Sequence, residues 1–99
     1  MRILAKSTLR EFWTSQPKYA EAEEPMSAWY AVCLRAEWRN PADVRATFGS
    51  ASFVRHNVVF DIAGNKYRIV ANIDYTRQAM FVKFVGTHVQ YDAIDVGAL

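Results

Sequence analysis

From Asn57 to Gly86 apolar and polar side chains alternate with period two, whereas residues 6–48 space their apolar positions by three and four. The first half therefore predicts helices and the second half antiparallel strands. Met1–Ala5 reads as a short opening strand. A first helix is predicted around Leu9, Phe12 and Trp13, with Ser7 or Thr8 as its cap and Pro17 just past its end. A second opens near Glu24-Pro25, where acidic side chains and a proline suit a first turn. Its stripe is Met26, Trp29, Tyr30, Cys33 and Glu37, broadened by Val32 and Leu34. Asn40-Pro41-Ala42-Asp43 caps a short third segment in which Val44 and Phe48 lie four apart, before Gly49-Ser50 breaks it.

Gly64-Asn65 is a turn dipeptide between two alternating runs, so a hairpin with a two-residue loop is expected there. In that register Asp61 faces Arg68, Val59 faces Val70, Asn57 faces Asn72 and Arg55 faces Asp74, all on one side. A second turn at Thr76-Arg77 sets Val70 against Lys83, Asn72 against Phe81 and Ile69 against Phe84. One face is then almost wholly apolar and must be covered by the helices. The other mixes Arg68, Lys83, Asn57, Asn72 and Asp61 with valines and reads as a semi-open groove floor. A slip of one residue moves a side chain to the opposite face, so the side assigned to Lys83 depends on the second turn.

A chain of 99 residues with 52% hydrophobic and 14% aromatic content is expected to fold as a single globular domain spanning 1–99. Its net charge of +2 is spread evenly over both halves, so bulk charge does not announce nucleic acid and any basic patch must come from local geometry. Cys33 is the one cysteine, which rules out an internal disulfide and favours a reducing, cytoplasmic setting. There is no run long and apolar enough for a membrane span, and the opening residues lack the features of a signal peptide. His56 and His88 are the two histidines and show no metal-ligand spacing, so neither a metal nor another cofactor is expected.

What remains is a cluster of cations beside a histidine and a tyrosine: Arg68 and Lys83 from the hairpins, His88 and Tyr91 from the segment after them. Each has a plain alternative. Arg68 opposite Asp61 is also what a cross-strand ion pair looks like. Lys83 is equally a solvated strand lysine, His88 a turn residue bonded to backbone, and Tyr91 a core aromatic with a wet hydroxyl. His56 falls at the fraying end of the sheet and is given no chemistry.

Four segments carry a family resemblance: Asn40-Pro41-Ala42-Asp43-Val44-Arg45-Ala46-Thr47-Phe48, Val58-Val59-Phe60-Asp61-Ile62, Gly64-Asn65-Lys66-Tyr67-Arg68-Ile69-Val70, and Phe84-Val85-Gly86-Thr87-His88-Val89-Gln90-Tyr91-Asp92. Together they resemble the HigB toxin family, RelE-like messenger-RNA interferases of type II toxin–antitoxin systems. The resemblance implies an α+β RelE-like fold with two N-terminal helices packed on an antiparallel sheet. It implies a toxin that cleaves translated mRNA as an endoribonuclease, with ribosome dependence. Its partners would be a HigA-type helix-turn-helix antitoxin and mRNA, with operator DNA reached only through the antitoxin. Arg68, His88 and Tyr91 occupy the family's functional segments, and Lys83 sits where basic strand residues recur. Arg55, Asn57, Lys66 and Asn72 are the accompanying RNA-binding candidates. The N-terminal helices depart from the pattern by carrying Glu21, Glu23 and Glu24 and few cations.

The residue types suit that chemistry on their own terms. Cleaving RNA without a metal requires activating a ribose 2′-hydroxyl, stabilising charge on the phosphate and protonating the leaving 5′-oxygen. A histidine exchanges protons near neutrality. Arginine offers phosphate a planar fork and lysine a point charge. A tyrosine, with an ordinary pKa near ~10, is better suited to stacking on a base than to acting as one. The alternative reading is a catalytically inactive module of the same fold that only binds RNA or a partner.

Overall fold

The alternation in the second half builds the centre of a five-stranded sheet in the computed structural model, which describes residues 1–4 and 6–99. The strands are β1 (Arg2–Leu4), β2 (Ser52–Val54), β3 (Asn57–Ile62), β4 (Tyr67–Asp74) and β5 (Ala79–Thr87), in the order β1-β5-β4-β3-β2. β2 to β5 pair antiparallel with one another in chain order. β1 lies parallel to β5, so the sheet is mixed rather than wholly antiparallel. The opening strand is confirmed over Arg2–Leu4, while its expected last residue, Ala5, lies outside the described residues.

Three helices cover one face: α1 (Lys6–Ser15), α2 (Glu23–Arg35) and α3 (Pro41–Thr47), with a 3-10 segment over Pro17–Ala22 leading into α2. Leu9, Met26, Trp29, Cys33 and Val44 point inward onto Val58, Phe60, Ile62, Tyr67, Ile69 and Ala71 and form the main core. Helix α1 opens at Lys6, so Ser7 and Thr8 lie inside its first turn and neither caps it. Asn40 does cap α3, its side chain accepting from the Asp43 amide at 3.0 Å. The apolar stripe of α2 is narrower than its composition implies. Val32 is 42% and Leu34 50% exposed, and Glu37 lies past the helix end. The Met1 amino nitrogen donates to the carbonyls of Cys33, Leu34 and Ala36, satisfying acceptors that the end of α2 leaves open.

The first hairpin has the expected register, with Asp61 opposite Arg68, Val59 opposite Val70 and Asn57 opposite Asn72. Its connection is wider than a two-residue loop: pairing stops at Ile62 and Tyr67, and Ala63 and Gly64 both adopt positive φ. Arg55 does not reach Asp74. It sits at φ 56 in the tight turn between β2 and β3, and Asp74 pairs instead with Arg77 at 3.8 Å.

The second hairpin follows its expected register only from Asp74–Ala79 to Ala71–Val82. A bulge then skips Lys83, so Val70 faces Phe84 and Ile69 faces Val85. Every β5 side chain beyond that point changes sides relative to expectation. Val85 joins the helix-covered core, and Phe84 moves to the opposite face with Val59 and Val70.

That opposite face is therefore not an open groove floor. The chain after β5 forms α4 (His88–Asp92) and returns across the sheet to a 3-10 turn at Val96–Ala98. Val96 seals a second small core on Val59 and Val70, flanked by Phe84, Tyr91, Ile94 and Leu99. Asn57 lies fully buried beneath this tail and donates to the carbonyls of Val96 (3.2 Å) and Leu99 (3.4 Å).

The turn into α4 rests on Thr87, whose hydroxyl accepts from the Gln90 amide while the Gln90 side chain accepts from the Thr87 amide. Gly86 makes this possible, because a Cβ there would lie 2.7 Å from both Gln90 Oε1 and the Phe84 ring. Gly86→Ala should accordingly cost about 1–3 kcal/mol, the range for forcing an extra methyl into a packed site. Urea unfolding checks this, and an unchanged midpoint would mean that α4 lifts freely.

Candidate active site at the end of the sheet

Arg68 is the centre of the cluster, and its surroundings explain its orientation. Its cross-strand neighbour Asp61 accepts from Nε at 3.1 Å, with the two side chains 13% and 29% exposed. Nη1 donates to the carbonyls of Asn65 (3.2 Å) and Tyr67 (3.3 Å), and Nη2 donates to the Asn65 side chain. The guanidinium carbon stands 5.7 Å from the centre of the Tyr91 ring, and that ring tilts against Phe84 at 6.4 Å. The cross-strand ion pair expected of Arg68 and Asp61 is thus present. Most of the fork is engaged internally, and an incoming phosphate must share it or displace Asn65, which lies on an exposed turn.

His88 opens α4 on the other side of β4. Its backbone amide donates to the Lys66 carbonyl at 3.1 Å, and its exposed side chain helps line an open groove of about 520 Å³ with Lys66, Tyr67 and Gln90. Tyr91, three residues on, packs into the second core instead, so the turn of α4 gives the two residues different neighbours. The sheet end thus carries a guanidinium and an aromatic ring on the tail side of β4 and a histidine beside a lysine on its helix side.

The other candidates are more dispersed. Lys83 is the bulged residue, exposed and without an ion pair among the described residues. Arg55 packs beside Gly97, where a Cβ would come within 3.2 Å of its Nε. Asn57 is covered, as described above. Asn72 donates to the His56 carbonyl at 2.9 Å, and the His56 ring meets the Leu99 carbonyl at 3.0 Å. Arg55, Asn57 and Asn72 are thus joined to the tail or to the β2–β3 turn and lie outside the Arg68 cluster. Among the described residues no three His, Cys, Asp or Glu side chains converge as a metal-binding group, and no helix is long and apolar enough to cross a membrane.

Two further residues take part that the sequence pattern does not mark. Asn65 is more than a turn former: its side chain and carbonyl both hold Arg68. Glu21 is more than part of an acidic helix start: it accepts from Lys66 Nζ at 3.1 Å and from the Tyr67 hydroxyl at 2.8 Å. These donors hold its carboxyl below the usual carboxylate range, led by the Tyr67 bond. Burial, reinforced by Glu21, pushes the Tyr67 hydroxyl up to about 12 and keeps it a neutral donor at pH 7. A depressed folded pKa contributes stability above the unfolded value near ~4.3, and that stability is lost as pH falls through the folded pKa. Glu21→Gln should therefore be less stable than the parent at pH 7, and the two should converge as pH drops below about 4. Denaturant melts across that range test this; a pH-independent gap would assign the loss to packing.

A protein-family model for HigB_toxin, described as the RelE-like toxic component of a toxin–antitoxin system, matches residues 22–94. The chain is 26% identical over 97 residues to an mRNA interferase HigB of Escherichia coli O6:H1 (strain CFT073), covering 95% of this chain and 91% of that protein. It is 23% identical over 95 residues to the mRNA interferase toxin HigB of Escherichia coli K12, covering 93% and 88%. An mRNA interferase HigB of Shigella flexneri matches to the same extent.

Proposed function

As this chain belongs to the RelE-like HigB toxin family, we propose that it acts as the mRNA-cleaving endoribonuclease of a toxin–antitoxin system, working through a single domain over 1–99. The observation that carries the proposal is the Arg68 guanidinium, fixed at the sheet end between Asp61 and Tyr91, with His88 on the adjoining α4. In this reading the substrate is translated mRNA on the ribosome. The partner is a HigA-type helix-turn-helix antitoxin, through which operator DNA is reached, and the site of action is the cytoplasm.

The reaction assigned to the site is attack of a ribose 2′-oxygen on the adjacent phosphorus. The P–O bond to the 5′-oxygen breaks, leaving a 2′,3′-cyclic phosphate and a 5′-hydroxyl. His88, exposed on the helix side of β4, is assigned the proton, taking it from the 2′-hydroxyl and returning it to the leaving 5′-oxygen of a strand that rounds the sheet end from Arg68. Arg68 meets charge developing on the phosphate, its direction set by Asp61 while Asn65 shares or yields its part of the fork. Tyr91 presents its ring to a base while holding the guanidinium over its face. Lys83, exposed on β5, adds long-range attraction for the backbone, and Lys66 contributes at the His88 groove. No step calls for a metal.

Expression of the chain alone is expected to arrest growth and cut mRNA within translated regions, with cleavage persisting in chelator. Arg68→Ala should slow cleavage by roughly a hundredfold, as when one preorganised charge-stabilising donor is lost. Primer extension is the readout. Intact transcripts during full arrest would overturn the nuclease, and normal cutting by Arg68→Ala would leave this arginine as the sheet's ion pair only.

The roles of His88 and Tyr91 separate by pH. His88→Gln should lower the rate and flatten the acidic limb of the pH–rate profile. Tyr91→Phe should retain most activity and Tyr91→Ala lose it, because the ring and not the hydroxyl does the holding. A dead Tyr91→Phe beside a near-normal His88→Gln would reverse the two assignments.

A further inference from the structure

The groove on the helix side of the sheet end is more than the place where His88 emerges. Its far wall is the segment Pro17–Ala22, which brings Lys18, Tyr19 and Glu21 opposite Lys66, Tyr67 and His88. Two rings line the groove, the half-buried Tyr19, which stacks on Phe12 at 4.6 Å, and the edge of the largely buried Tyr67. Val89 is 66% exposed beside it. Two ammonium groups stand at the groove, Lys18 with Nζ 5.4 Å from the Tyr19 ring centre and Lys66 beside Glu21. An apolar, ring-bearing floor flanked by cations is the combination that holds a single nucleic-acid strand, with rings and methyls against bases and ammonium groups on phosphates. At about 520 Å³ the space falls within the ~300–1,000 Å³ range of small-ligand sites.

We infer that this groove is a second RNA-contacting site, in which Lys18 and Lys66 bind phosphates flanking the cleaved bond and Glu21 holds Lys66 until RNA takes its place. The inference rests on the nuclease reading above and extends it to residues outside the Arg68 cluster. Tyr67 and Arg68 are consecutive on β4 with side chains on opposite faces, so a strand rounding the sheet end meets Arg68 on one side and the groove on the other. The Lys66–Glu21 pair is exposed on both sides (62% and 57%), and such pairs contribute little net energy. A phosphate can therefore compete with Glu21 for Lys66, with the Tyr67 hydroxyl keeping the carboxylate in place beside it. The same carboxylate repels phosphate when Lys66 does not mask it, which makes Glu21 a brake on RNA entry.

The test is fluorescence-anisotropy titration of the full-length protein with a labelled single-stranded RNA 12-mer whose 2′-hydroxyls are replaced by hydrogen, at several potassium concentrations. Each phosphate contact on a single strand contributes about 0.7 to the slope of log affinity against log salt. The double variant Lys18→Ala/Lys66→Ala should therefore bind more weakly and lower the slope by about 1.4. Glu21→Gln should bind more tightly than the parent at low salt, and adding Lys66→Ala should remove that gain. Thermal melts of each variant establish that the fold is kept. An unchanged slope in the double variant overturns the groove, as does failure of the parent protein to bind the strand. If the lysine changes weaken capture of the antitoxin but not of RNA, the groove is a protein-docking surface and the inference is wrong. Cleavage in a translating extract, with its dependence on Arg68, is read separately, so the nuclease can stand while the groove falls.

Discussion

One extra residue in β5 determines how the whole tail side of this molecule is built. Because the ladder skips Lys83, Phe84 lies on the same side as Val59 and Val70. Without that shift Val85 would take the place of Phe84 beside Val59 and Val70, and the face would lack a ring next to them. With it, Tyr91 has a ring to lean on, Val96 has a floor, and the chain after α4 folds back over the sheet. The same device leaves Lys83 outside the ladder, exposed and without an ion pair among the described residues.

The site inherits its geometry from this arrangement. Asp61 and Arg68 are placed by a ladder that any alternating hairpin would form, but Tyr91 reaches the guanidinium only because α4 is held down by Phe84, Gly86 and the Thr87–Gln90 cap. A guanidinium tied to a carboxylate, a turn amide and two carbonyls is poorly available to arbitrary anions. Sharing it requires a ligand that makes other contacts nearby, and that discriminates against stray phosphate more effectively than a bare cation would.

Much of this was legible in the residues. The first hairpin followed from alternation and a single Gly-Asn turn, because period two fixes which residues face each other once the turn is located. The Asn40 cap followed from the fit of its side chain to a free amide. The α+β class and the family followed from motifs spread over the chain. What escaped was non-local. Nothing in the β5 sequence marks Lys83 as the skipped residue, since the choice is made by packing of Phe84 and Val85 on opposite faces. The roofing of Asn57 depends on a tail that returns from 39 residues away, and the engagement of Glu21 by Tyr67 spans 46. The exposure of Val32 and Leu34 is likewise hidden, because apolar composition does not reveal how narrow the buried stripe of a helix is.

Asn57 is fully buried under the tail opposite Asn72, with its nitrogen bonded to two tail carbonyls and its oxygen buried without a partner. Apolar contacts alone would let the tail slide along the sheet, since a valine packs nearly as well one notch over. The amide does not allow this: any other alignment strands its donors as well, at about 1–3 kcal/mol for each unsatisfied group. Asn57 thus works as an indexing pin, giving up some stability to make one docked position of the last residues unique.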